Sequence, residues 1–139
     1  MANALNRTEA TLPSAFTPAI VRRAVFGPRP AFRALVAELD GRVVGYTAFG
    51  VVYNTDIAGR ELWMHDLFVV PRARGRRVGH ALVAAVAREA VRRRLPRLGW
   101  GVRGTNVRAM RFYRRLGARI GQMRSAVLVG RSLARLADP

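Results

Sequence analysis

The chain is predicted to fold as one α/β domain over residues 1–139, with antiparallel hairpins first and two strand-to-helix passages after them. Three observations predict this. Phe32–Leu39, Val43–Tyr53 and Glu61–Val70 are apolar runs rich in valine and aromatics, bounded by turn residues as strands are. Asp40-Gly41, between the first two runs, is a hairpin pair that accommodates positive φ. Gly79–Arg94 and Asn106–Leu116 carry apolar residues at helical spacing, and each follows a strand-like segment.

Residues 1–19 are small and polar with Pro13 and Pro18, and form a poorly specified leading segment. Ile20–Phe26 reads as the end of a helix closed by Gly27-Pro28-Arg29-Pro30. Residues 54–59 form a loop between the second and third strands, and Pro71–Arg77 a basic turn. On the helix that follows, Leu82, Val86 and Ala90 make one stripe, with Val83, Ala87 and Val91 beside it. Pro96 ends that region, and Leu98–Val102 is a fourth strand. In the next helix Ala109, Phe112, Tyr113 and Leu116 share a face, and Gly117 terminates it. Gln122–Val129 is expected as a last strand, and Leu133–Leu136 as a short amphipathic tail.

A chain of 139 residues that is 50% apolar can bury one core without staples. It has no cysteine, which excludes disulfides, thiolate metal ligands and a cysteine nucleophile. Its two histidines lie far apart and no metal site is expected. No apolar run approaches membrane-span length, and residues 1–10 do not resemble a secretory leader, so a cytoplasmic protein without membrane association is expected. The net charge is +17, and every one of the 25 basic residues is arginine. Such a charge attracts polyanions, so nonspecific nucleic-acid adhesion is expected, and a phosphate-rich cofactor is equally compatible.

The turn entering the first long helix is the main candidate site. A strand feeding a helix through a tight turn exposes unpaired N–H groups at the positive end of the helix dipole, which suits a pyrophosphate. Gly75 and Gly79 allow close backbone approach, and Arg72, Arg74, Arg76 and Arg77 add charge. By itself the same segment is equally well a solvated basic turn. Tyr113 has a similar pair of readings: a core aromatic, or a hydroxyl that serves as a general acid.

The two segments Leu67–Leu82 and Asn106–Ala118, in this order and at this spacing, resemble the GNAT family of acetyl-coenzyme A-dependent N-acetyltransferases. The segment Leu62–Val69 resembles its diamine and thialysine N-acetyltransferase branch, and similarity runs from about Ile20 to Leu136. The resemblance implies a mixed, mainly antiparallel central sheet flanked by helices, here lacking the family's usual first strand and helix. It further implies that Arg74, Gly75, Arg76, Arg77, Val78, Gly79 and His80 hold the pyrophosphate of acetyl-coenzyme A. Backbone groups of Phe68, Val69 and Val70 would pair with the pantetheine arm, Asn106 would bind the cofactor, and Tyr113 would be the general acid. The family's turn pattern is Arg or Gln, two residues, Gly, one residue, then Gly or Ala. Arg74 and Gly79 match its ends, but Arg77 replaces the middle glycine. Its side chain must then point away from the cofactor or pair with a phosphate, and its backbone must do without glycine's freedom.

The base is open. That branch has Glu-Asp where this chain has His65-Asp66. His65 is either a base, directly or through water, or a histidine satisfied by its neighbours. Adjacent strand residues point to opposite faces, so only one of the pair faces a given cleft unless a bulge intervenes. Glu61 and Asp66 are the acids nearest the presumed site and are the expected acceptor contacts. With only eight acids and a +17 charge, a small amino-acid-like amine or diamine is favoured over a polyamine. Lacking lysine, the chain cannot acetylate its own side chains at lysine. A homodimer is expected from the family. The alternatives are an acyl-coenzyme A-binding module without turnover and a basic nucleic-acid-binding domain, the latter marked by steep salt dependence.

Overall fold

The computed structural model describes residues 16–122, 126 and 128–137. It divides into two compact units, Met1–Gly101 and Val102–Pro139. In the first unit, helix α1 (Pro18–Phe26) is capped by Thr17, whose side chain accepts from the Ile20 N–H at 3.2 Å, and begins with proline at its first position. It ends at Phe26, before Gly27, where the sequence places the helix end.

Strands β1 (Arg33–Leu39), β2 (Arg42–Asn54), β3 (Gly59–Val69) and β4 (Leu98–Trp100) form one sheet in the order β1-β2-β3-β4. The first two pairings are antiparallel and the third is parallel. Asp40 and Gly41 have φ of 52° and 69° at the β1–β2 turn, as the hairpin signal requires. The loop before β3 contains a 3₁₀ turn, Thr55–Ile57, capped by the Asn54 side chain on the Asp56 N–H at 2.8 Å.

Helix α2 (Val78–Arg92) runs from the end of the basic turn and buries Val78, Leu82, Val83, Val86 and Ala90. Val44, Ala73, Val78 and Leu82 are the centre of a buried cluster, joined by Leu35, Ala37, Leu39, Leu67, Val69 and Val70. Gly45 makes this approach possible. A Cβ there would lie 2.9 Å from the Phe68 carbonyl and 3.2 and 3.3 Å from Leu82 and Val78 side-chain carbons. The helix stripe is narrower than the sequence predicts, because Val91, in the last turn, is 76% exposed. Arg33 of β1 reaches Glu89 of α2, which also binds Arg92 and Arg93, so a charge cluster fastens the first strand to the helix.

The second unit holds α3 (Val107–Arg115) and α4 (Gly130–Ala137). Asn106 caps α3 by accepting from the Ala109 N–H at 3.1 Å. At the other end Gly117, at φ 85°, lets its own N–H reach the Arg114 carbonyl and that of Ala118 reach the Tyr113 carbonyl. That paired closure is the Schellman motif. The strand expected over 122–129 lies partly on residues outside those described. Its described positions, Gln122, Ala126, Leu128 and Val129, are not in a strand. An apolar run becomes a strand only when a ladder partner completes its backbone hydrogen bonds. Among the described residues no helix is long and apolar enough to cross a membrane.

Candidate active site

β3 changes character half-way along. Its parallel ladder with β4 runs through Leu62↔Leu98, Trp63↔Gly99 and Met64↔Trp100 and then stops, while β3 continues to Val69 paired, among the described residues, with β2 alone. Val70 donates to the Val44 carbonyl at 2.9 Å, which fixes the phase of the β2 ladder. Alternation then turns the amide groups of Val69 and Leu67 away from β2, while the N–H groups of Val70 and Phe68, expected from the sequence to meet the cofactor arm, point into the β2 ladder. The Val69 carbonyl takes the Arg74 Nε donor at 3.0 Å. The strand therefore presents an unfinished sheet edge to an extended, amide-bearing chain.

Past Val69 the backbone tightens into a 3₁₀ turn, Pro71–Ala73, anchored by buried Ala73 and its N–H to the Val70 carbonyl at 2.9 Å. Gly75 is left-handed at φ 82°, and so is Arg77 at φ 60°, ψ 8°, immediately before α2. A left-handed arginine costs on the order of 1–2 kcal/mol, so this chain carries at Arg77 the strain that glycine would avoid. The first bond of the helix runs from the Ala81 N–H to the Arg77 carbonyl at 3.0 Å. The amides of Val78, Gly79 and His80 precede that bond, no side chain caps them, and the first turn has no acid. Arg72, Arg74, Arg76, Arg77 and His80 are all exposed around them. The start of α2, with no side-chain cap, no acid in its first turn and exposed arginines around it, is electropositive.

Where the parallel ladder stops, β3 contains one extra residue. Ala48 pairs with Asp66 and Phe49 with Met64, so His65 is the residue of a β-bulge. Its Nε2 lies 3.4 Å from the Cβ position of Gly50. Tyr46, Ala48 and Gly50 alternate onto the sheet face away from α2, and Tyr46 Oη donates to Asp66 Oδ2 at 3.0 Å. His65 and Asp66 therefore both project on that one face. The exception allowed for in the sequence, a bulge, is the arrangement present.

The other expected residues divide. Glu61 is only 2% exposed; its Oε1 accepts from Asn54 Nδ2 at 2.9 Å and its Oε2 lies 2.9 Å from Arg97 Nε. The Arg97 contact is an ion pair without good hydrogen-bond alignment, since Oε2 has no geometrically acceptable donor among the described residues. Glu61 thus sits inside the sheet as a paired carboxylate, apart from the exposed side chain of His65. In the second unit, Asn106 spends its Oδ1 on the α3 cap. Tyr113 is buried at 7% exposure, with its ring 5.2 Å from that of Phe112. Sequence reasoning did not single out Tyr46 or Thr47, which contact Asp66 from β2. Their role depends on strand register, which leaves no local signal.

The model of the acetyltransferase (GNAT) family matches residues 4–118. This chain belongs to that family. The GNAT chain is 32% identical over 101 residues to the thialysine N-epsilon-acetyltransferase of Mus musculus, an alignment covering 67% of this chain and 59% of the mouse protein. It is also 32% identical over 81 residues to the L-ornithine N5-acetyltransferase of Arabidopsis thaliana, covering 58% of this chain and 36% of the plant protein. It thus spans less than two thirds of the length of these relatives. An integron cassette protein from the mobile metagenome of V. cholerae has the same fold, with TM-score 0.79 and 24% identity, over 99% of this chain and 87% of that one.

Proposed function

We propose that this GNAT chain is an acyltransferase that moves acetyl from acetyl-coenzyme A to the terminal side-chain amine of a small, amino-acid-like molecule. The observation that carries the proposal is the unfinished edge of β3 running directly into the uncapped, arginine-ringed start of α2. One feature suits the amide-bearing arm of coenzyme A and the other its pyrophosphate. The fit is chemical: edge amides of Leu67 and Val69 for the arm, and the amides of Val78, Gly79 and His80 for the phosphates. Acetyl-coenzyme A, when bound, supplies the activated acetyl group. The acceptor class is supported by the names of the mouse and Arabidopsis relatives, which both specify a terminal nitrogen.

In this mechanism His65 takes the proton lost by the acceptor amine, directly or through water, and Asp66 holds the ammonium form as it arrives. Tyr113 gives its phenolic proton to the thiolate released as the new carbon–nitrogen bond replaces the carbon–sulfur bond. Asn106 contributes to cofactor binding through what its capping role leaves free.

Calorimetric titration of acetyl-coenzyme A into wild type and Tyr113→Phe, with thiol release measured on L-ornithine and thialysine, tests this. Both proteins are expected to bind, while kcat in Tyr113→Phe falls about 100- to 10,000-fold, the usual worth of a positioned acid. Absence of binding by wild type overturns the proposal, and equal turnover by the two proteins removes Tyr113 from it.

A further inference from the structure

β2 grips the bulge from both sides of the sheet. Tyr46 and Thr47 are consecutive, so their side chains leave the strand on opposite faces. On the face away from α2, Tyr46 Oη holds the Asp66 carboxylate through Oδ2 at 3.0 Å. From the other face, Thr47 Oγ1 donates to the Asp66 backbone carbonyl at 2.8 Å. Thr47 is 0% exposed, so its hydroxyl has been taken wholly out of water to make this bond. A buried threonine in a strand would be better replaced by valine unless its hydroxyl has such a partner.

The consequence of the grip is directional. Had the extra residue been absent, His65 and Asp66 would alternate, and one of them would point at the helix. With the bulge in place both stand on the same face, beside the point where β3 leaves β4. The imidazole rests over Gly50, the one position in that part of β2 without a side chain. The Asp66 carboxylate is only half-buried and is held through Oδ2. Tyr46 and Phe68 share this face, with ring centroids 6.3 Å apart, and flank the carboxylate with aromatic surface.

We propose that Tyr46 and Thr47 are positioning residues for acceptor recognition: the Thr47 hydroxyl locks the bulge and the Tyr46 hydroxyl orients the Asp66 carboxylate, so that His65 and Asp66 meet the acceptor amine together. The inference rests on the acetyltransferase reading for its functional half. Its structural half, the locked bulge, stands on the sheet alone.

The test compares Thr47→Val, Thr47→Ser and Tyr46→Phe with wild type. Two quantities are read: kcat and KM for L-ornithine and for acetyl-coenzyme A separately, and the proton NOE between the His65 ring and the Gly50 Hα. Thr47→Val is expected to lose the NOE and to lower kcat/KM for the amine by up to about 100-fold, the scale of an ångström-sized misplacement. KM for acetyl-coenzyme A stays unchanged. Thr47→Ser, which restores the donor, is expected to recover both the NOE and the acceptor kinetics. Tyr46→Phe is expected to keep the NOE and raise KM for the amine, because it frees the carboxylate without removing the bulge. A folded Thr47→Val that retains the NOE and wild-type amine kinetics overturns the proposal, as does a folded Thr47→Ser no better than Thr47→Val. Inactivity of wild type on every amine overturns the acetyltransferase reading instead, and the NOE series still decides the locked bulge.

Discussion

The two halves of β3 carry one carboxylate each, and the sheet treats them in opposite ways. In the first half, between β2 and β4, Glu61 is buried, paired with Asn54 and set against Arg97. In the second half, past Met64↔Trp100, Asp66 is only half-buried and held by two hydroxyls from β2. The two residues are five positions apart on one strand and were expected to serve the same acceptor. Completing the ladder on both sides makes a carboxylate part of the interior, where a charge is retained only with a partner. Leaving one side open, with a bulge at the transition, makes the other carboxylate available. The division of β3 between scaffold and proposed site therefore comes from where β4 stops.

The contrast can be broken most severely at Arg97. Arg97→Ala leaves the Glu61 carboxylate buried without its cation, and is expected to cost about 3 kcal/mol, the low end for such a loss because Arg97 is itself 47% exposed. Urea unfolding measures it. Acetyl-coenzyme A affinity should be unchanged in the folded fraction, and a loss of affinity larger than the loss of stability would place Glu61 in the site after all. A smaller effect is expected from the open half. Val69→Pro removes an N–H that faces away from β2 and so spares that ladder. It should weaken acetyl-coenzyme A binding by about tenfold, or ~1.4 kcal/mol, the upper range for one hydrogen bond. Unaltered affinity by calorimetry would mean that no ligand chain pairs with this edge.

The smallest effect sharpens the comparison with a carboxylate in neither half. Glu89 of α2 is held below its ordinary value of 4.5 chiefly by the hydrogen bond from Arg93, then by that from Arg92. A lowered carboxyl contributes stability that is complete above 4.5 and is lost as pH falls below it. Glu89→Gln should thus lower the unfolding midpoint slightly at neutral pH, and the difference should vanish on acidification as wild type loses its advantage and converges on the variant. Convergence on the alkaline side instead would show that the carboxylate is not the group responsible.

Much of the scaffold was legible in the order of residues. The hairpin at Asp40-Gly41, the helix closed by Gly117 and the basic turn into α2 each follow from local rules about φ, capping and apolar period. Less legible were the exposure of Val91 and the absence of a strand at the described positions Gln122, Ala126, Leu128 and Val129, where neighbours decide what a pattern only permits.

By itself, then, the sequence determined the α/β class, the hairpin turn at Asp40-Gly41, the basic turn that leads into α2 and the family. These are properties of residues close together along the chain, where dihedral preference and spacing act directly. The tertiary structure alone decided that Glu61 is sealed, that His65 is the bulge residue, and that Tyr46 and Thr47 hold Asp66 from opposite faces. Those outcomes depend on how one strand slides against another. A shift of a single residue reverses every side chain beyond it, and the free energy that forbids the shift is gathered over the whole sheet and the helix packed against it.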